Sequence, residues 1–306
     1  MGTIKITSPL QKVKGTCNLI YQTCNMEPNQ IQVSDEEYYK NRFLDFMNRH
    51  MYCQNHNPPE YYYGTINTVL PSEKDLESSK IDIDKTVLYW INKLNPIGFI
   101  KINQTSIDDI ILTAKKVKIE LEEYIDQEQK KENTNWLWHA NQKVIPYLSY
   151  SYGYKYCVAF GKILRQYMSG EGKLWVDNTL LCLQKYMESG LIYKNWLPET
   201  ASQADFKKNI NGNLFSFYKD IELDNKRFKE FAFATHPDAY LEGGLSDLLY
   251  KWKFKDLVLI MLTPDFIEWL DSSTRKQAMV TIKSLLGGLL KKQKDFFIKY
   301  LDSLFN

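Results

Sequence analysis

Apolar residues recur at intervals of three and four along most of this chain, the period of helices that bury one face. The clearest run follows Ser106-Ile-Asp-Asp109. There Ile107, Ile110, Ala114, Val117, Leu121, Tyr124 and Ile125 fall on one side, predicting a long amphipathic helix into Gln129-Lys-Lys-Glu132, opened by a capping box at Ser106. A similar box, Ser34-Asp-Glu-Glu37, opens a helix to about Cys53 that buries Tyr39, Phe43, Phe46 and Met47. Asp84 begins another, with Val87, Leu88, Ile91 and Leu94 on one face and Asn95-Pro-Ile-Gly98 as its stop.

Two helical arms are expected near Tyr154 to Met168 and Lys173 to Met187, with Ser169-Gly-Glu-Gly172 as the bend. Thr235-His-Pro-Asp238 reads as a further capping box, with Pro237 early in a short helix that stops at Gly243-Gly244. Thr263-Pro-Asp-Phe266 repeats that start signal. A last helix from about Ser273 carries Ile282, Leu285, Leu286, Leu289 and Leu290, with a bend or close crossing expected at Gly287-Gly288. The N-terminus breaks the pattern. Ile4 and Ile6 alternate with Thr3, Lys5 and Thr7, and the stretch from Val13 to Tyr21 is rich in β-branched and aromatic residues, which predicts two short strands or an extended arm. The expected fold is mainly α, a multi-helix globular body with a short N-terminal β arm or hairpin. Its divisions are 1–33 for the arm, 34–132 for an N-terminal helical part and 133–306 for a C-terminal helical domain.

Composition narrows the function classes. With 44% apolar and 25% charged residues in 306, the chain is in the globular range and long enough to bury a core without staples. Lys plus Arg number 39 against 37 Asp plus Glu, a formal charge of +2, so no general attraction to nucleic acid is expected. No stretch approaches the roughly 18 apolar residues of a membrane span. The first 30 residues lack an apolar secretory core. Synthesis in the cytoplasm without a Sec signal is therefore expected.

The candidate chemistry is diffuse. His50, Cys53 and His56, with Cys17 and Cys24 upstream, offer the thiolate and imidazole types that zinc takes, but their i, i+3, i+6 spacing wraps around a helix. A helix end is the simpler reading, and no metal is expected. Cys157, at the start of the first arm, is a candidate nucleophile, with His139 or His236 as base and Asp238 or Asn141 as orienting group. Glu171, Asp177, Asp238 and Glu242 lie near aromatic residues, a setting that raises a carboxyl pKa toward general-acid range; as caps and solvated positions they need no such role. Neither a P-loop nor a dinucleotide fingerprint occurs, and no cofactor is expected. Tyr61, Tyr62 and Tyr63, beside Pro58-Pro59, suit a protein contact surface, because Tyr gives contact area at small entropic cost.

Cys157 and Cys182 also invite a structural reading. Each lies about a dozen residues from the bend, so at ~1.5 Å per residue both stand ~18–20 Å from it, a placement that suits a disulfide or a pair of packed thiols. Tyr154-Lys-Tyr-Cys157, Phe160, Ser169-x-x-Gly172-Lys-x-Trp175 and Leu181-Cys182-Leu resemble the cysteine-bonded helical hairpin of stanniocalcin-like secreted proteins. That resemblance implies a Cys157–Cys182 bridge in a helical, secreted, non-enzymatic protein. The leading expectation is thus an interaction protein with a protein partner, a cargo or effector of a secretion machine whose N-terminal arm docks to the carrier. The alternatives are a hydrolase using Cys157 with His139 or His236, or a carboxylate pair, and an intracellular helical adaptor or immunity-type binding protein. A small-molecule partner is left open.

Overall fold

The computed structural model describes residues 27–33, 35–50, 82–95, 101–130, 137–139, 142–144, 152–194, 217–218, 221–251 and 253–263. Within them the protein is mainly α-helical, as the three-to-four periodicity requires. The expected β arm lies outside the described residues up to position 26, and residues 27–33 carry no regular secondary structure.

Helix α1 (Asp35–His50) buries Tyr39, Phe43 and Phe46, the stripe the pattern marked. Helix α2 (Ile83–Leu94) buries Val87 and Ile91, while Leu88 stays exposed; its N-cap is Asp82, whose carboxylate accepts from Lys85 N at 3.1 Å. Helix α3 (Gln104–Lys130) starts before the expected box. The Asn103 side chain accepts from Ser106 N at 2.8 Å, which puts Ser106 inside the first turn rather than at the cap. Ile110, Ala114 and Val117 face the core as expected. Leu137–His139 (β1) and Gln142–Val144 (β2) form a small antiparallel pair, Trp138 opposite Lys143.

The expected hairpin is present, with an irregular first arm. Helix α4 (Tyr152–Cys157) widens into a π-helix over Val158–Ile163 and tightens into a 3-10 turn over Leu164–Tyr167. Ser169 then caps helix α5 (Gly170–Tyr193), its hydroxyl accepting from Gly172 N at 3.2 Å. Asp256, from a distant helix, accepts from both the Ser169 N–H at 3.0 Å and its hydroxyl. A Cβ on Gly172 would lie 2.6 Å from that carboxylate, so the capping glycine is what lets Asp256 in.

Helix α6 (Asn225–Glu242) corrects the reading of Thr235-His-Pro-Asp238 as a helix start. The helix begins eleven residues earlier, where the N-cap Asp224 accepts from Arg227 N at 3.0 Å, and runs through Pro237 to the expected stop at Gly243. Pro237 gives no N–H to the preceding turn, and its ring crowds the carbonyl there. Thr235 Oγ1 and His236 Nδ1 both turn back onto the Ala232 carbonyl at 2.7 Å. Residues 231–239 are all buried, so packing holds a helix that local sequence would interrupt. Helices α7 (Leu245–Tyr250) and α8 (Phe254–Leu262) follow, α8 packing on α2 and α3. The expected elements from Phe266 and from Ser273 lie outside the described residues.

Helix α5 is central, with buried positions on every side, and α6 is its main neighbour. Their crossing is close at Gly190, where an added Cβ would stand 2.2 Å from Phe231 Cζ. In an exposed helix Gly→Ala stabilises by about 1 kcal/mol. Here Gly190→Ala is expected to destabilise by roughly 1–3 kcal/mol in urea unfolding, because a fully buried ring must move. Phe231→Leu in the same chain recovers part of that loss if the crossing is its cause.

Candidate functional site

The hairpin, α1 and α6 line a partly open cavity of about 40 Å³. Rings dominate its wall: Tyr39 from α1, Tyr156 from α4, Phe160 from the π-helix, Trp175 from α5, and His236 and Tyr240 from α6. Trp175 stands edge-on to Phe160 at 6.1 Å and to Tyr240 at 5.8 Å, and its indole N–H donates to the Tyr240 carbonyl at 3.3 Å. Gly153 lets the Tyr39 ring lie against the α4 backbone, since a Cβ there would meet Tyr39 Cε1 at 2.2 Å.

Two of the candidate catalytic residues, Cys157 and His236, line this one cavity. His236 stacks on Phe233 at 5.4 Å and meets Tyr240 edge-on at 5.6 Å. A carbonyl only accepts, so the bond from His236 to Ala232 O assigns the proton to Nδ1. Burial pulls the imidazole pKa down to about 4, and that hydrogen bond only partly offsets it. The ring is therefore neutral at neutral pH and a weak proton acceptor. Cys157 is buried, and its Sγ receives Gln184 Nε2 at 3.7 Å.

No disulfide joins Cys157 to Cys182, which corrects the bridge that the stanniocalcin-like resemblance implied. Height along the hairpin was not the obstacle: Cys157 faces α5 at the level of Gln184, within two residues of Cys182. Direction was. Two residues along an α-helix turn the side chain by about 200°, so Cys182 points to the far side of α5, toward Glu242. Burial and then Glu242 push its thiol up to about 11, leaving about one thiolate in ten thousand at pH 7. Alkylation of Cys182 by iodoacetamide in the folded chain is expected to stay slow up to pH 9, and dithiothreitol to leave the melting temperature unchanged. A reductant-dependent melting temperature would restore the bridge.

The remaining candidates are dispersed. Glu171 pairs with Lys253 at 3.1 Å; its own backbone N–H, then the lysines, hold its carboxyl below the usual range, the wrong direction for a general acid. Asp177 is held by Arg165 through bonds of 2.7 and 2.9 Å, and Glu242 accepts from the Tyr186 hydroxyl. Asp238 is buried within α6. His139 ends β1, its backbone opposite Gln142. His50 is the last residue of α1, whereas Cys53, His56, Tyr61, Tyr62, Tyr63 and Asn141 lie outside the described residues. Among the described residues no group of three His, Cys, Asp or Glu side chains is placed to hold a metal, and no helix is long and apolar enough to cross a membrane.

Sequence reasoning missed a buried charge network beside the cavity. Arg42 binds Asp45 at 3.1 Å and Glu188 at 2.9 Å; Arg49 binds Asp45 at 2.7 Å and Glu222 at 2.5 Å. Tyr38 donates to Glu188 at 2.8 Å. Burial holds the Glu188 carboxyl above its usual range even against Arg42. The chain before α1 is locked in as well. Ile31 N–H donates to Glu188 at 3.1 Å, the Asn29 amide to Asp45 at 2.6 Å, and Arg42 to the Asn29 carbonyl at 2.7 Å. A signal did exist: Tyr38, Arg42, Asp45 and Arg49 follow the 4-3-4 spacing of a buried stripe, next to Tyr39, Phe43 and Phe46.

Compared with known proteins, the chain matches no family model, no curated protein and no solved structure.

Proposed function

We propose that the protein is a non-enzymatic interaction protein, a cargo or effector of a secretion machine whose N-terminal segment docks to the carrier while the helical body engages a protein target. The observation that carries this reading is the fastening of residues 27–33. Asn29 and Ile31 are bonded into the charge network, and Lys194 at the end of α5 reaches Glu27 at 3.1 Å. Residues 27–33 are thus a fixed point of attachment for whatever precedes them, as a docking segment requires. Removing what precedes them breaks none of these bonds.

Deletion of residues 1–25 is expected to leave the unfolding midpoint of the body unchanged while abolishing release of the tagged protein into the medium by its source cell. Unchanged release would overturn the reading. A second reading, a hydrolase using Cys157 with His236, is supported by their shared cavity. Iodoacetamide at pH 7 separates the two. Slow alkylation of Cys157 is expected for a packed thiol, and rapid alkylation would favour the enzyme.

A further inference from the structure

We propose that the outer face of α2 and α3 is the docking site of the chain's own C-terminal segment, residues 273–306. This goes beyond the carrier-docking reading and does not depend on it.

Among the described residues six large apolar side chains are exposed, and four of them belong to these two helices: Leu88, Tyr89, Leu112 and Ile119. Three of the four gather around one ion pair. Asp84 of α2 meets Lys115 of α3 at 2.7 Å, across the two helices and on their solvent side. Leu88 is one turn on from Asp84, while Leu112 and Ile119 are one turn to either side of Lys115. Single apolar residues on a surface need no explanation; a group of three on two neighbouring helices marks a contact.

The occupant follows from where the described body ends. Helix α8 packs on both α2 and α3, its Lys255 paired with Asp109 at 2.7 Å, and the described residues stop at Thr263. The nine residues from 264 to 272 span at most about 30 Å, or about 20 Å with Phe266 to Leu270 in a helix, which brings position 273 within reach of the same outer pair. Beyond it Ile282, Leu286, Leu289, Phe297, Tyr300 and Leu304 recur at helical spacing, with Lys283, Lys291, Lys292, Lys294 and Lys299 between them. A helix of this kind draws its stability from burial of its apolar side. The tether gives it an effective concentration of about millimolar at a face of its own chain, an advantage that a foreign protein or a second copy lacks.

Photo-cross-linking of the full chain tests the assignment. With benzoylphenylalanine placed at position 112, and separately at 119, irradiation is expected to give adducts within one chain to a peptide from residues 273–306. Adducts joining two copies, adducts only to other parts of the chain, or no adduct would overturn the proposal. Trypsin supplies a second readout at Lys291, Lys292 and Lys294. Ile119→Asp is expected to speed cleavage there about tenfold, the effect of losing one large apolar contact, because cleavage follows the fraction of time the segment is undocked. Leu174→Asp replaces an exposed leucine of α5, which belongs to neither helix, and should leave the rate unchanged. Equal rates with and without Ile119→Asp, or the same acceleration in Leu174→Asp, would also overturn it.

Discussion

Replacing Arg42 with alanine should cost about 3–5 kcal/mol of folding free energy, read as a lowered urea midpoint at unchanged slope. The guanidinium is fully buried and serves three partners at once: Asp45 on its own helix, Glu188 on α5 and the Asn29 carbonyl of the entering chain. Desolvating so many charges costs free energy, and the intact network offsets it by pairing. Removal of Arg42 leaves Glu188 buried with the Tyr38 hydroxyl and the Ile31 N–H in place of a cation, and leaves Asp45 to Arg49. Most of the loss should therefore come from stranded charge rather than from a missing contact. Adding Glu188→Gln removes that charge while keeping an acceptor for Tyr38, so the double variant should regain part of the stability. A loss below about 1 kcal/mol for Arg42→Ala would mean that water reaches these groups as it does a surface pair.

Acidification from pH 6.5 to 4 should remove roughly 3 kcal/mol of stability through His236 alone. In the fold the imidazole holds its proton only near pH 4, because burial disfavours the charged ring. The unfolded chain takes up the same proton near 6.5. Between those values the unfolded state binds more protons, so stability present above pH 6.5 is lost as the pH falls toward 4. Glu188 acts in the opposite sense. Its raised carboxyl pKa means that the fold gains from its protonation, so stability rises as the pH falls through that raised value. The His236 contribution is isolated by comparison with His236→Asn, whose amide reaches about where Nδ1 sits and does not titrate. The wild-type stability curve should fall more steeply than that of the variant over this window. Parallel curves would refute a buried neutral imidazole.

How far the chain could be read in advance varies by element. Helices α2 and α3 were legible because each buries one apolar stripe, so periodicity reports their orientation, whereas in α1 the apolar stripe was legible and the charged stripe buried beside it was not. The hairpin was legible from Ser169-Gly-Glu-Gly172, a cap and a bend within four residues. Helix α6 was not, since Pro237 at an apparent capping box outweighs, on local rules, a helix held by burial along both sides. The π segment left no mark, because its residues would suit an ordinary α-helix. In the candidate site, Cys157 and His236 were named from their chemistry, yet nothing in the sequence indicated that they line the same cavity. Glu188 and Glu222 were missed because an isolated carboxylate on a helix reads as a solvated one until its partner is known.

The order of apolar and polar residues by itself determined that this protein is helical, where several helices begin and end, and that two arms meet at a bend after Met168. Tertiary structure decided what each face meets. Arg42 and Glu188 are 146 positions apart, and Cys157 finds Gln184 rather than Cys182 because a helix turns about 100° with every residue. Local spacing fixes which side chains share a face; only the packing of whole helices brings one face against another, and the buried charges and the aromatic cavity both form at such meetings.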